Sequence, residues 1–64
     1  MYKLFRYPDD EGPCIRVATF QTAEDVLAWW KARPIHPDGQ QHFLKENGKV
    51  IAVEAPKSRK LVFI

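Results

Sequence analysis

The sequence predicts a single small α+β domain, in which one helix packs on one face of a mostly antiparallel, twisted sheet and the element order is ββαβββ. Three patterns predict it: a self-capped helix over residues 22–34, an Asn-Gly turn between two strand-like runs, and further strand-like runs near both ends. A chain of 64 residues is long enough for one hydrophobic core and too short for two. We therefore interpret residues 1–64 as one domain.

The helix prediction rests on signals at both of its ends. Thr22 is placed to cap the first turn by accepting a hydrogen bond from the backbone N–H of Asp25. Pro34 ends the helix because it lacks a backbone donor and disfavours helical geometry in the residue before it. The stripe expected to face the sheet, at helical spacing, comprises Ala23, Val26, Leu27 and Trp30.

Two strand-like runs, rich in aromatic and β-branched residues, occupy residues 2–7 and 14–20. The proline-bounded segment 8–13 between them predicts a loop, so the two runs form a hairpin. Residues 60–64 are predicted as the last strand. Short connections favour antiparallel pairing of strands that follow each other along the chain.

A second hairpin is predicted around Asn47 and Gly48. Both residues tolerate the positive φ angles that a tight type I′ turn requires, so the register of the flanking strands follows from the turn. The expected facing pairs are Glu46 with Lys49, Lys45 with Val50, Leu44 with Ile51, Phe43 with Ala52, and His42 with Val53.

The apolar strand residues exceed what one helix can cover. Alternation along the strands is expected to turn Leu4, Val17, Leu44, Ile51, Val53, Leu61 and Phe63 toward the helix, and Phe5, Tyr7, Phe43, Val50, Val62 and Ile64 away from it. A contiguous exposed apolar patch above roughly 400 Å² is typical of an interface. The alternative is a strongly curled sheet that hides both faces.

These patterns favour a small, non-enzymatic protein-interaction module that binds a partner protein or a second copy of itself. The expected partner-binding residues are Phe5, Tyr7, Phe43 and Val62 on the sheet, with Trp29 and Arg33 at the flank of the helix. Trp29 and Arg33 lie one helical turn apart, which predicts a cation–π contact between them. For Trp29 itself, the favoured interpretation is that it folds down onto the edge of the sheet with Arg33 covering it, and a binding hot spot is the alternative.

Nucleic-acid binding is the alternative function. Basic side chains in the C-terminal half would contact phosphates, and Phe43 would offer a ring for base stacking. A net charge of +2 does not by itself imply a nucleic-acid partner, and basic residues beside a terminal strand also serve to block edge pairing. The residues concerned are Lys45, Lys49, Lys57, Arg59 and Lys60.

Catalytic and metal-binding patterns are weak in this sequence. The candidate metal ligands are His36, Asp38 and His42, with Cys14, but their spacing matches no compact zinc pattern. No local feature places a base beside Cys14, which we expect to be a half-buried strand residue. The glycines are isolated turn residues and form no phosphate-binding loop. We therefore expect no catalysis, no cofactor and no small-molecule substrate.

The same sequence predicts a cytoplasmic protein that does not bind membranes. No apolar run is long enough to span a bilayer, and the N-terminal residues do not resemble a signal peptide. One cysteine cannot form an intrachain disulfide, whereas small secreted domains normally contain several.

Overall fold

The computed structural model describes residues 1–7, 12–33 and 41–64. These residues form the elements β1 (Tyr2–Arg6), β2 (Ile15–Phe20), α1 (Ala23–Ala32), β3 (His42–Glu46), β4 (Lys49–Glu54) and β5 (Leu61–Phe63). The predicted α+β class and the order ββαβββ are confirmed. Most of the predicted loop over residues 8–13, and residues 34–40 between the helix and the second hairpin, lie outside the described residues.

The strands form one antiparallel sheet in the order β2-β1-β3-β4-β5. β1 pairs with β2 on one side and with β3 on the other. Because both pairs are antiparallel, β2 and β3 run in the same direction, and α1 connects them across one face of the sheet. β2 and β5 lie at the two edges. No helix in the described part of the chain is long and apolar enough to cross a membrane.

The helix begins and ends where the sequence predicts. Thr22 is extended, and its hydroxyl accepts a hydrogen bond of 3.1 Å from the backbone N–H of Asp25. This contact pairs one of the donors that a helix start leaves free. At Arg33 the backbone returns to an extended conformation, with ψ of 150°, one residue before Pro34.

The core lies between α1 and one face of the sheet. Its buried residues are Leu4, Val26, Trp30, Leu44 and Ala52, and the partly buried residues packed against them are Tyr2, Phe20, Trp29, Ile51 and Leu61. Leu27 was expected to face the core but is 49% exposed. At about 100° per residue, Val26, Trp29 and Trp30 lie around one direction and Leu27 falls outside it. The buried stripe is therefore centred nearer Trp29 than the sequence predicts.

The Asn-Gly turn between β3 and β4 is confirmed, with φ angles of 52° at Asn47 and 79° at Gly48. The first two facing pairs, Glu46 with Lys49 and Lys45 with Val50, are also as predicted. The register holds only this far along the hairpin.

Beyond Lys45 the predicted register is wrong by one residue. Leu44 faces Ala52 and Phe43 faces Val53, because a β-bulge places Ile51 as an extra residue in β4. A shift of one residue exchanges the two faces of a strand. Val53 therefore lies on the face away from the helix, contrary to expectation.

Candidate functional site

A buried charge cluster, formed by Arg33, His42, Glu54 and Arg59, lies on the helix side of the sheet. The Glu54 side chain is only 2% exposed. Its Oε1 accepts a hydrogen bond of 3.0 Å from the backbone N–H of His42 and lies 2.9 Å from the Nδ1 atom of the same residue. Its Oε2 accepts a hydrogen bond of 3.2 Å from Arg33 and lies 3.5 Å from Nη1 of Arg59. The carboxylate thus joins β4 to the start of β3 and to the end of α1.

Arg33 completes the connection between the helix and the cluster. Its guanidinium carbon lies 3.5 Å from the centre of the Trp30 ring, and Nη1 donates to the Trp30 carbonyl. The prediction that Arg33 stacks on Trp29 is therefore wrong, because Arg33 stacks on Trp30 instead. Arg33 follows Trp30 by three residues and is drawn inward by Glu54, on the side where Trp30 packs.

The β4–β5 connector is held by the same groups. The backbone carbonyl of Arg59 accepts hydrogen bonds from the Trp30 indole at 3.2 Å and from Arg33 at 3.0 Å. Arg59 adopts a φ of 60°, a left-handed conformation that costs a non-glycine residue about 1–2 kcal/mol. The contacts of its carbonyl and side chain offset this cost.

The environment of Glu54 keeps it ionised. Burial acts to raise the pKa of Glu54, but the hydrogen bonds from His42 and Arg33 act together in the opposite direction, and the net pKa lies below its ordinary value. A small cavity of about 60 Å³ adjoins the carboxylate, lined by Gln41, Glu54, Pro56 and Arg59. The geometry fits a structural ion-pair network that fixes three elements relative to one another.

No role was predicted for Glu54 from the sequence. Strand alternation could have predicted it. His42 lies on the same face of β3 as buried Leu44, and Glu54 lies on the same face of β4 as buried Ala52. A histidine and a carboxylate at inward positions of neighbouring strands are expected to pair, since a lone buried charge is costly. The predicted register hid this pair because it placed Val53 opposite His42.

The sheet face opposite α1, called here the open face, carries a row of apolar residues. Phe5, Phe43, Val53 and Val62 are Cα partners across β1, β3, β4 and β5. The Phe43 ring stacks on Phe5, with centroids 5.3 Å apart, and contacts Tyr7 at 5.0 Å. Phe43 is only 7% exposed, whereas Tyr7 and Val62 are 46% and 49% exposed. The most accessible apolar surface therefore lies at Val62, at the β5 end of the row, and at Tyr7 beside it.

The open face is also cationic. Lys3 and Lys45 face each other across β1 and β3, and Arg16 lies opposite Phe5. The Lys45 Nζ atom is 5.4 Å from the centre of the Phe5 ring and 5.9 Å from that of Phe43. Like charges directly opposite on neighbouring strands are unfavourable, and the aromatic rings offset this only in part.

Carboxylates in the described part of the chain lie elsewhere. Glu24 and Asp25 are in the first turn of α1, and Glu54 is in the buried charge cluster. Glu46 faces Tyr2, whose pKa it raises by accepting the hydroxyl hydrogen bond. Within residues 1–7, 12–33 and 41–64, the cations of the open face therefore have no carboxylate partner on that face.

A cleft of about 360 Å³ opens where this face meets the Asn-Gly turn. We call it the lysine cleft. It is lined by Met1, Lys3, Phe5, Lys45, Asn47 and Gly48. Its walls combine two ammonium groups, an aromatic ring and the backbone of a tight turn.

The predicted partner-binding residues divide between two sides of the sheet. Phe5, Phe43 and Val62 lie together in the apolar row of the open face, with Tyr7 against Phe43. Trp29, on the helix side, is half-buried against Phe20, with ring centroids 6.1 Å apart. The Arg33 side chain, 8% exposed, belongs to the buried charge cluster. The six residues do not form one continuous surface.

The basic residues considered for nucleic-acid binding are dispersed as well. Lys45 lies on the open face, Lys49 faces Glu46, and Arg59 contacts Glu54. Lys57 and Lys60 are exposed in the connector between β4 and β5. The structure does not join these five residues into one patch.

The candidate metal ligands do not converge in the described residues. Cys14 is exposed and precedes β2, so the expectation of a half-buried strand residue is wrong. His42 belongs to the buried charge cluster, while His36 and Asp38 lie outside the described residues. Within the described ranges, no group of three or more histidine, cysteine or acidic side chains is arranged to hold a metal ion.

No protein-family model, curated protein or solved structure matches this chain. Its function is therefore inferred from its own geometry.

Proposed function

We propose that this chain is a non-enzymatic protein-interaction module that binds a partner protein on the open face of its sheet. The observation that carries the proposal is the apolar row of Phe5, Phe43, Val53 and Val62, which α1 does not cover. Exposed Tyr7 lies beside the row against Phe43, and exposed Val62 and Ile64 lie at its β5 end. Aromatic and aliphatic side chains in one row are typical of the centre of an interface.

The charge of the open face favours a partner of different composition over a second copy. In a symmetric dimer the same face would contact itself, which brings Lys3, Arg16 and Lys45 of one copy toward those of the other. Like charges across an interface are unfavourable, whereas complementary charges select and steer partners. A partner with acidic groups therefore fits this face better than self-association.

The aromatic geometry favours a protein over nucleic acid. Base stacking needs an accessible ring face, as in sheet-based single-strand binders. Here Phe5 and Tyr7 cover the Phe43 ring, and the rings pack mainly on one another. Of the five basic residues predicted for nucleic-acid binding, Lys45 alone lies beside these rings, and the other cations of the open face are Lys3 and Arg16. Nucleic-acid binding is therefore the alternative that the experiments must exclude.

The test compares two equally exposed apolar residues on opposite sides of the protein. Val62 lies on the open face and Leu27 on α1, and each is 49% exposed. Immobilised wild type, Val62→Gln and Leu27→Gln proteins are incubated with lysate of the source organism, and the bound proteins are quantified by mass spectrometry. We expect the wild type and Leu27→Gln to retain a protein that Val62→Gln binds about tenfold less or weaker still. A tenfold loss corresponds to about 1.4 kcal/mol of binding free energy.

Equal retention by the two variants, or loss only with Leu27→Gln, would contradict the proposal. Light scattering across a concentration series tests self-association separately, and a dimer that Val62→Gln dissociates would assign the open face to a second copy. Substitution of Phe43 is unsuitable here because that buried ring contributes to folding.

A further inference from the structure

We propose that the lysine cleft binds an acidic side chain of a protein partner, and that the partner's binding segment carries a carboxylate next to an apolar side chain. This inference rests on the proposed function and adds the chemistry of the partner. Lys3 and Lys45 supply the charge, and Phe5, which belongs to the apolar row of the open face, supplies an apolar floor beside them.

The two lysines are arranged for an anion that the described residues do not provide. Lys3 and Lys45 are Cα partners, so their side chains leave the sheet side by side on the same face. Like charges directly opposite on neighbouring strands are unfavourable, and a negative group between them would relieve this repulsion. The carboxylates placed by the structure are on the helix, in the buried charge cluster or opposite Tyr2.

The cleft also restricts where the anion can lie. Lys45 extends over the rings of Phe5 and Phe43, at 5.4 and 5.9 Å from their centres, which places its ammonium group beside apolar surface. A charged pair formed there is less screened than one in open water. The volume of about 360 Å³ accommodates a side chain together with a short stretch of backbone.

The neighbouring surface explains why the segment needs an apolar residue as well. From the cleft, the open face continues to Val50, opposite Lys45, and to Val53, opposite Phe43. An extended peptide presents alternate side chains to the same surface. A carboxylate in the cleft and an aliphatic side chain two residues away would therefore contact the open face together.

The test uses defined probes and matched variants of the full chain. The probes are a hexapeptide of alternating Glu and Leu, the same peptide with Gln in place of Glu, and a ten-nucleotide oligo-dT strand. Binding is measured by NMR titration of the ¹⁵N-labelled protein at 50 and 300 mM salt. The variants are Lys3→Gln with Lys45→Gln, and, as a control with the same change in net charge, Lys57→Gln with Lys60→Gln.

We expect the Glu-Leu peptide to bind wild type and the control double variant equally, within about twofold. The Lys3→Gln, Lys45→Gln double variant should bind the Glu-Leu peptide about tenfold more weakly than wild type does, or weaker still. The Gln-Leu peptide should bind wild type more weakly than the Glu-Leu peptide does, by a similar factor. Binding of the acidic peptide should weaken at 300 mM salt. The shifted resonances should include Lys3, Phe5 and Lys45.

Three outcomes would overturn the inference, and they bear differently on the proposed function. Equal binding of both peptides would show that the cleft does not recognise a carboxylate, and would leave the proposal that the open face binds a protein unchanged. No binding of either peptide at millimolar concentration would overturn the cleft proposal, while the Val62 and Leu27 comparison still decides the proposed function. Tighter binding of oligo-dT that depends on Lys3 and Lys45 would overturn both proposals in favour of nucleic acid.

Discussion

Replacement of Glu54 by glutamine should destabilise the protein more than any conservative change at its surface. The substitution keeps the shape of the side chain but removes its negative charge, and leaves the Arg33 and Arg59 guanidinium groups without a counter-ion. Glu54 and Arg33 side chains are 2% and 8% exposed, so water compensates little. Removing one member of a buried ion pair typically costs about 3–5 kcal/mol.

This loss is large compared with the whole stability of so small a domain. At about 0.05–0.15 kcal/mol per residue, 64 residues have a free energy of unfolding of about 3–10 kcal/mol. With a urea dependence of about 1 kcal/mol per molar, we expect the unfolding midpoint of Glu54→Gln to fall by about 3 M or more. The assay is urea unfolding at pH 7, followed by tryptophan fluorescence and circular dichroism.

The pH dependence of the same measurement identifies the cause. Because the folded-state pKa of Glu54 lies below the ordinary 4.5, its contribution is complete above that pH and is lost as the pH falls through the lowered value. The difference between wild type and Glu54→Gln should therefore shrink at acidic pH. If the variant is unfolded without urea, the curves are recorded in a stabilising osmolyte.

Glu46→Gln provides the matched control, because Glu46 is only partly buried and hydrogen-bonds the Tyr2 hydroxyl. We expect it to change the free energy of unfolding by less than about 0.5 kcal/mol. A loss below about 1 kcal/mol for Glu54→Gln at pH 7, or a loss that is unchanged at pH 3, would refute the role assigned to the buried charge cluster.

Substitutions at three further positions test other parts of the fold by urea unfolding. Thr22→Ala removes the hydroxyl that pairs with the Asp25 N–H and should cost about 0.5–2 kcal/mol, whereas Thr22→Ser should restore most of it. Gly48→Ala should lower the free energy of unfolding by about 1–2 kcal/mol through backbone strain alone, since the φ of Gly48 is 79° and no atom lies within 4 Å of an added Cβ. An unchanged free energy of unfolding would contradict the type I′ turn. Trp30→Ala should cost about 3–5 kcal/mol, and Trp30→Phe should show a smaller loss that reflects the hydrogen bond to the Arg59 carbonyl.

Local chemistry in the sequence predicted the elements of this fold. Thr22 and Pro34 bracket the helix, and Asn47 with Gly48 forms the tight turn, because each acts through its own backbone or that of a close neighbour. Alternation also placed Leu4 and Leu44 on the core face. These features depend on contacts within a few residues, which a single sequence displays directly.

The candidate site was predicted only in part, because much of it depends on contacts between residues that are far apart along the chain. Phe5, Phe43 and Val62 share a face as expected, since each follows from alternation within its own strand. Lys45 was predicted to lie beside Phe43, whereas Lys3 and Arg16 were not predicted to share that face. Lys3 became part of it only because β1 pairs with β3, whose position in the sheet no local pattern specifies.

By itself, the sequence determined where the helix and the turns form, because capping and positive φ are properties of neighbouring residues. Tertiary structure alone decided the strand order, the bulge at Ile51 and the consequent meeting of His42 with Glu54. A bulge is favourable only when packing on both faces gains from it, and that gain depends on residues far apart along the chain. The same long-range pairing brought Lys3 beside Lys45 and so created the lysine cleft.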